Sequence, residues 1–206
     1  MTHPKIQLKE VKLDKLHPTQ LTVGKIEVQL KRKEWSKLGK KERREALANH
    51  WFPGVLGPEG KMYIVDHHHF GLALIEEEVR KVSLMVLKDL SWLDHDAFWH
   101  VMDLHNWVHP YDQSGVRRDF SAVPRHLVAL EDDPYRSLAG ELRRAGGYAK
   151  DAQPFSEFLW ADFLRPRIAV ERIKRSFKGA LATGMQLARS DAARYLPGWS
   201  GRNPGI

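Results

Sequence analysis

The feature that most constrains this chain is a change in the spacing of its apolar residues near residue 90. Before it, short runs alternate apolar and polar residues, interleaved with turn residues and helix-like stretches. After it, apolar residues recur almost entirely at helical spacing. Such a chain is neither all-β nor all-helical. The expected architecture is α+β, with a small mixed-sheet core in residues 1–90 and a helical lobe in residues 91–206. The lobe is expected to pack on the core, because short amphipathic helices are marginal in water unless buried.

Within the first part, residues 6–13 place Ile6, Leu8, Val11 and Leu13 in near-alternation, as in a short strand. Pro18 interrupts it and biases His17 away from helix. A helix is expected from Thr22 or Gly24 through Trp35, and another over residues 40–51, stopped by Pro53-Gly54. Val55-Leu56 and residues 61–65 flank the turn sequence Gly57-Pro58-Glu59-Gly60, so they read as two short strands. Residues 67–78, with Leu72, Ala73 and Ile75 and then Val79 at helical spacing, read as a helix, and residues 82–87 read as a central strand. Beyond residue 90, helices are expected over 94–108, from Asp133-Pro134 to Leu142, over 155–164 and over 168–189. A last turn follows at Ser190-Asp191, before a Pro/Gly tail.

Charge and composition exclude some chemistry. The chain has 33 Lys+Arg against 26 Asp+Glu, a net charge of +7. Nucleotides and nucleic acid are therefore plausible partners, although the basic runs 31–33, 40–44 and 165–178 also fit solvated helix faces. The absence of cysteine rules out disulfides, thiolate catalysis and cysteine-based zinc sites. No apolar run approaches a membrane span, and residues 1–5 lack a signal-peptide core. A cytoplasmic protein with no membrane partner is expected.

Asp66-His67-His68-His69 stands where a strand should end and a helix begin. The first-turn N–H groups of a helix point outward there and the helix dipole adds partial positive charge, an arrangement suited to phosphate. Asp66 is expected to cap the helix through the amide of His68 or His69. The three histidines fan round the first turn, so one or two would reach an anion. Gly71 would allow a close approach. The plainer reading is a capped helix whose histidines pack or face water.

Residues 61–69, a strand followed by Asp-His-His-His and a helix, resemble the Asp-Gly-His-His-Arg type segment of the ParB/sulfiredoxin-like superfamily. Residues 16–20, Leu-His-Pro-Thr-Gln, with Val23-Gly24, Glu27-Val28 and Lys31, resemble the early Pro-Thr-Gln box of its ParB-like nuclease branch. Residues 158–165 resemble that branch's Phe-x-Trp-Ala-Asp-x-Leu-Arg segment. The resemblance implies nucleotide or phosphate-ester binding, with His67, His68, Thr19, Gln20, Gly24 and Lys31 at the phosphate. Glu27 is a candidate base by likeness to the superfamily's free-serine kinases, and a phosphoryl-transfer reading puts Asp66 and His69 at the chemistry, with Asp66 organising the loop or holding Mg2+. Where nucleotide-binding relatives carry Gly and Arg, this chain has His67 and Phe70, which removes a bidentate phosphate donor. Phosphoryl transfer or hydrolysis is the leading expectation. A Mg2+-dependent nuclease and a non-catalytic nucleotide- or DNA-binding module are the alternatives.

Two further patterns invite a functional reading. His105 and His109 have the spacing of a metal-binding pair, but no Glu follows His105 and Pro110 would fray the turn. Trp92, Trp99, Trp107 and Trp160 read as core in preference to a base-stacking platform.

Overall fold

A computed structural model describes residues 7–201; Ile6 and the end of the Pro/Gly tail lie outside them. In chain order the elements are β1 (Gln7–Lys12), β2 (Leu16–His17), β3 (Thr22–Val23), α1 (Lys25–Ser36), α2 (Lys40–Asn49), β4 (Trp51–Leu56) and β5 (Met62–Ile64). Then come α3 (His68–Glu76), β6 (Lys81–Asp89), α4 (His95–Leu104), β7 (Glu131–Asp132), α5 (Pro134–Arg144), α6 (Ser156–Leu164), α7 (Val170–Arg175) and α8 (Phe177–Ala188). This is an α+β fold.

Five strands form one mixed sheet in the order β1-β6-β4-β5-β2. β1 runs antiparallel to β6, β6 parallel to β4, β4 antiparallel to β5 and β5 parallel to β2. Pro53 and Gly54 do not end a helix, as expected, but lie inside β4; α2 has already ended at Asn49. Gly54 is needed there because a Cβ would sit 2.6 Å from the Tyr63 carbonyl oxygen and from Leu84. The ladder shifts register between Gly54 and Val55, the local distortion that a glycine in a strand often marks.

The chain divides into two compact units. The first comprises residues 1–23 and 28–131, the second residues 24–27 and 132–206. Residue 90, the expected junction, falls inside the first unit, which also carries α4. One face of the first unit's sheet buries Ile64, Leu84 and Phe52 with Leu72 and Leu74 of α3. The other collects Val55 and Tyr63 with Phe98, Trp99 and Met102 of α4. Period-two strands produce this split, since neighbouring side chains point to opposite faces.

In the second unit, Leu138 and Leu142 of α5 pack with Trp160 and Leu164 of α6 and Ala180 of α8. Tyr148 stacks on Trp160 with centroids 4.2 Å apart. The single helix expected over 168–189 is two, broken at Ser176, whose side chain accepts from the Gly179 amide and starts α8. Among the tryptophans, Trp99 and Trp160 are core, whereas Trp92 is 78% exposed because α4 begins after it. The helix expected over 94–108 stops at Leu104.

Candidate functional site

β5 ends at Ile64 and α3 begins at His68, so the Asp-His-His-His segment does stand at a strand-to-helix junction. Its detail differs from expectation. Asp66 does not cap α3 through the amide of His68 or His69; it is exposed, and its Oδ1 accepts from the backbone N–H of His67 at 2.6 Å. The capping position belongs to His67, in the left-handed region at φ 66° and ψ 21°. That is where the sequence departs from the glycine of nucleotide-binding relatives. Histidine visits this region more readily than most side chains, but less freely than glycine. The Asp66 carboxylate helps hold the turn.

His68 and His69 are buried, at 3% and 7% exposure. The Nε2 of His68 accepts the backbone N–H of Thr19 at 3.0 Å. Thr19 Oγ1 donates to the Ile64 carbonyl at 2.9 Å, and the Thr19 carbonyl accepts the N–H of His109 at 2.8 Å. The early Pro-Thr-Gln box and the Asp-His-His-His segment are thus one hydrogen-bonded structure. Thr19 is buried, with its N–H, hydroxyl and carbonyl all engaged. Gln20 is also buried and donates from Nε2 to the Thr22 carbonyl at 2.7 Å. These two residues shape the junction; their polar groups are tied to the fold. Gly71 meets the side chains of Leu127 and Phe52, so its small size serves core packing.

A residue the sequence did not single out completes the accessible end of the motif. The His50 ring lies 4.3 Å from that of His67 and 4.6 Å from Phe70. Burial holds its pKa below the ordinary 6.5, and the neighbouring His67 and Lys31 lower it further, while Asp66 acts the other way. Its Nε2 is buried and has no hydrogen-bond partner among the described residues. His50 and His67 are 17 positions apart and meet because β4 and β5 fold back on one another. No local spacing rule reveals such a pair.

The remaining expected residues belong elsewhere. Gly24 and Glu27 are in the second unit, where a Cβ on Gly24 would lie 2.6 Å from the Ser137 amide. The first turn of α1 is held there by Asp132, which accepts from the Lys25 N–H, and by Ser137, which accepts from that of Ile26. Glu27 is buried, accepts from Arg136 Nη1 at 3.1 Å and lies 3.7 Å from Arg144. Arg136 also pairs with Glu157, which in turn binds Arg143.

His105 and His109 do not share a helix face, since α4 ends before both. Among the described residues no group of three or more His, Asp or Glu is set to hold a metal. Part of the basic charge is tied internally: Arg32 pairs with Glu76 and Glu77, and Arg165 with Asp133 and Asp162. No helix among the described residues is long and apolar enough to cross a membrane.

Comparisons agree with this picture. A search of curated proteins found no match. A crystal structure of protein Atu1540 from Agrobacterium tumefaciens is similar at 49% identity with a TM-score of 0.91, covering 97% of this chain and 99% of that one. The family described as "Putative ParB-like nuclease" matches residues 9–166, a span holding the Pro-Thr-Gln box, the Asp-His-His-His junction and the Phe-x-Trp-Ala-Asp segment. The chain belongs to that ParB-like family.

Proposed function

We propose that this protein is a phosphate-ester-binding enzyme that transfers or hydrolyses a phosphoryl group at the β5–α3 junction, with a nucleotide or phosphorylated small molecule as ligand. The observation that carries this reading is the His50–His67 pair beside exposed Asp66, with an unpartnered buried nitrogen on His50. A phosphate arriving there meets the N-terminal end of α3, His67 and Lys31. It also offers an acceptor to His50, whose suppressed protonation an anion would restore. Phosphoryl transfer needs mainly positioning and charge neutralisation, which these groups provide. His68 and Thr19 act as positioning residues, fixing the junction from behind. Glu27, engaged by arginines, is assigned to holding the first turn of α1 rather than to proton abstraction.

Mg2+ in such sites takes one or two carboxylates and completes its shell with phosphate oxygens and water. The single exposed carboxylate of Asp66 suits that donor set, and Mg2+ would supply charge neutralisation at the phosphate. The family match favours a second reading, in which the ester is a phosphodiester of nucleic acid and the enzyme is a Mg2+-dependent nuclease working in the cytoplasm.

The test is a panel of nucleoside triphosphates, phosphorylated metabolites and supercoiled plasmid, each with and without Mg2+, on wild type and Asp66→Asn. Asparagine keeps an oxygen acceptor for the His67 N–H but loses the charge, so stability should change by less than about 0.5 kcal/mol. Turnover of a small ester, lost in the variant, supports the first reading. Nicking lost in the variant supports the second. Binding without turnover reduces the protein to a binding module, and no binding at all refutes the site.

A further inference from the structure

A second recess lies on the other face of the same sheet, wholly within the first unit, and does not depend on the phosphate reading at Asp66. His17 of β2 and Tyr63 of β5 are register neighbours, and their rings are 5.1 Å apart. With Trp99 of α4 and the segment 120–125 they enclose a cavity of about 200 Å³. Its walls are aromatic at Tyr63, Trp99 and Phe120. Its polar lining is His17, Lys61, His95, Ser121 and Arg125, with no carboxylate. Trp99 and Phe120 stack with an 11° interplanar angle, and Arg117 lies over the Phe120 ring at 5.5 Å, so this wall is fixed.

Two observations ask for an anionic ligand. Arg125 is exposed and forms no ion pair among the described residues, and the cation of Lys61 is met by Glu59, outside the lining. Second, burial lowers the pKa of His17, and the positive charge of His126, Lys61 and Arg125 lowers it further against a backbone hydrogen bond at Arg125. The recess therefore gathers positive charge around an aromatic wall, and Glu59, paired with Lys61 at 2.7 Å, is the carboxylate that acts on it from outside the lining. A volume below the roughly 300–1,000 Å³ of drug-sized pockets admits one ring system, not a dinucleotide.

We propose that this cavity binds a phosphate monoester carried on a planar ring, the chemistry shared by aryl phosphates and nucleoside 5′-monophosphates. The ring lies against Trp99 and Phe120, and the phosphate faces Arg125, Lys61 and His17. Burying a ring while pairing its anion requires both features in one molecule, so neither half should bind well alone.

Isothermal titration of the full chain with phenyl phosphate, adenosine 5′-monophosphate, inorganic phosphate and phenol tests this. At least one ester should saturate the protein, with inorganic phosphate and phenol at least tenfold weaker. Arg125→Gln, at an exposed position that should not disturb folding, and Phe120→Leu should each weaken the ester at least tenfold. In Asp66→Asn and His67→Gln, which act on the β5–α3 junction, the binding step that Arg125→Gln removes should persist. Tighter binding of the monophosphate assigns a nucleotide, and tighter phenyl phosphate an aryl ester. The proposal is overturned if no ester saturates, if Arg125→Gln binds as wild type does, or if binding is lost in the Asp66 and His67 variants instead. That last result would place the ester at the β5–α3 junction and leave the function proposed there intact.

Discussion

Tyr63 and Ile64 are neighbours on β5, yet they look into two different chemistries. On the Ile64 side lies the junction with α3, where histidines are abundant but mostly engaged by the fold: His68 by the Thr19 amide, His69 by the interior, and His50 and His67 by each other's rings. On the Tyr63 side, His17, Lys61, His95 and Arg125 come from four separate segments and surround open space. The difference teaches that the conspicuousness of a residue in sequence and its availability to a ligand are separate properties. Three consecutive histidines draw attention, but consecutive residues on a helix fan around it, so burial of one side of α3 must bury some of them. Residues scattered over a hundred positions are never read as one group, and folding brings them to one rim.

The sharpest way to break that contrast is to remove the histidine that holds the Thr19 amide. His68→Leu leaves this buried N–H without its acceptor and misfits the space behind the junction. An unsatisfied buried donor costs about 1–3 kcal/mol. For a chain of this size that is a fall in Tm of several degrees, at about 2–4 °C per kcal/mol. Arg125→Gln, at the rim of the other face, should shift Tm hardly at all. Thermal melts of both variants check the pair. If His68→Leu melted with wild type, the histidine would not be holding the Pro-Thr-Gln box, and the α3 face would be no more engaged by the fold than the rim is.

What is legible in the sequence follows the same division. In the first unit β1, β5, β6 and helices α1 to α3 come through because their periods are clean and their turns carry Pro, Gly and Asp, whereas the two-residue strands β2 and β3 and the start of β4 at Trp51 do not. The junction at residues 64–68 is visible because β-rich Tyr63-Ile64-Val65 changes abruptly to Gly71-Leu72-Ala73. Its fine structure is not, since a left-handed His67 depends on the exit angle of β5, which no single residue reports. Pro53-Gly54 misleads for a related reason: both read as breakers, yet Gly54 is in a strand because its neighbour's carbonyl approaches too closely for a Cβ. The end of α4 and the break at Ser176 stay hidden because an apolar stripe can run on across a loop that packs. Neither His50 nor the rim of the cavity can be read at all, as each is built from contacts between residues distant in the chain.

A smaller effect separates the two faces by pH. His17 and His50 both hold their pKa below 6.5, chiefly by burial. The unfolded chain therefore takes up protons that the folded chain refuses, and stability is lost as pH falls below 6.5 toward the folded values. The neighbours differ: His67, Lys31 and Asp66 act on His50, whereas His126, Lys61 and Arg125 act on His17. Urea midpoints at pH 7.5 and 5.5 should show the loss, and His50→Phe should reduce it. Adding phenyl phosphate should reduce the part due to His17, because an anion in the cavity raises the pKa of the histidine beside it. An equal effect of the ligand in wild type and in His17→Phe would sink the assignment of that ester to the cavity.

The smallest expected effect has an opposite sign in two measurements. His67 sits at φ 66°, a conformation that costs an L-residue about 1–2 kcal/mol and glycine almost nothing. His67→Gly relieves that strain but gives the unfolded chain more freedom to lose. The net should be a gain in stability of at most about 1 kcal/mol. The variant also loses the ring that meets His50 at 4.3 Å. If the α3 face is purely architectural, nothing else changes. If His67 contacts a phosphate, as proposed, a stabilised protein should bind its ester more weakly, by roughly tenfold or more for a charge-assisted hydrogen bond of about 1.5–3 kcal/mol. Chemical denaturation read beside nucleotide titration decides between them. A variant more stable than wild type and equally good at binding would show that His67 serves only the turn, leaving Lys31 and the N-terminus of α3 to hold the anion without it.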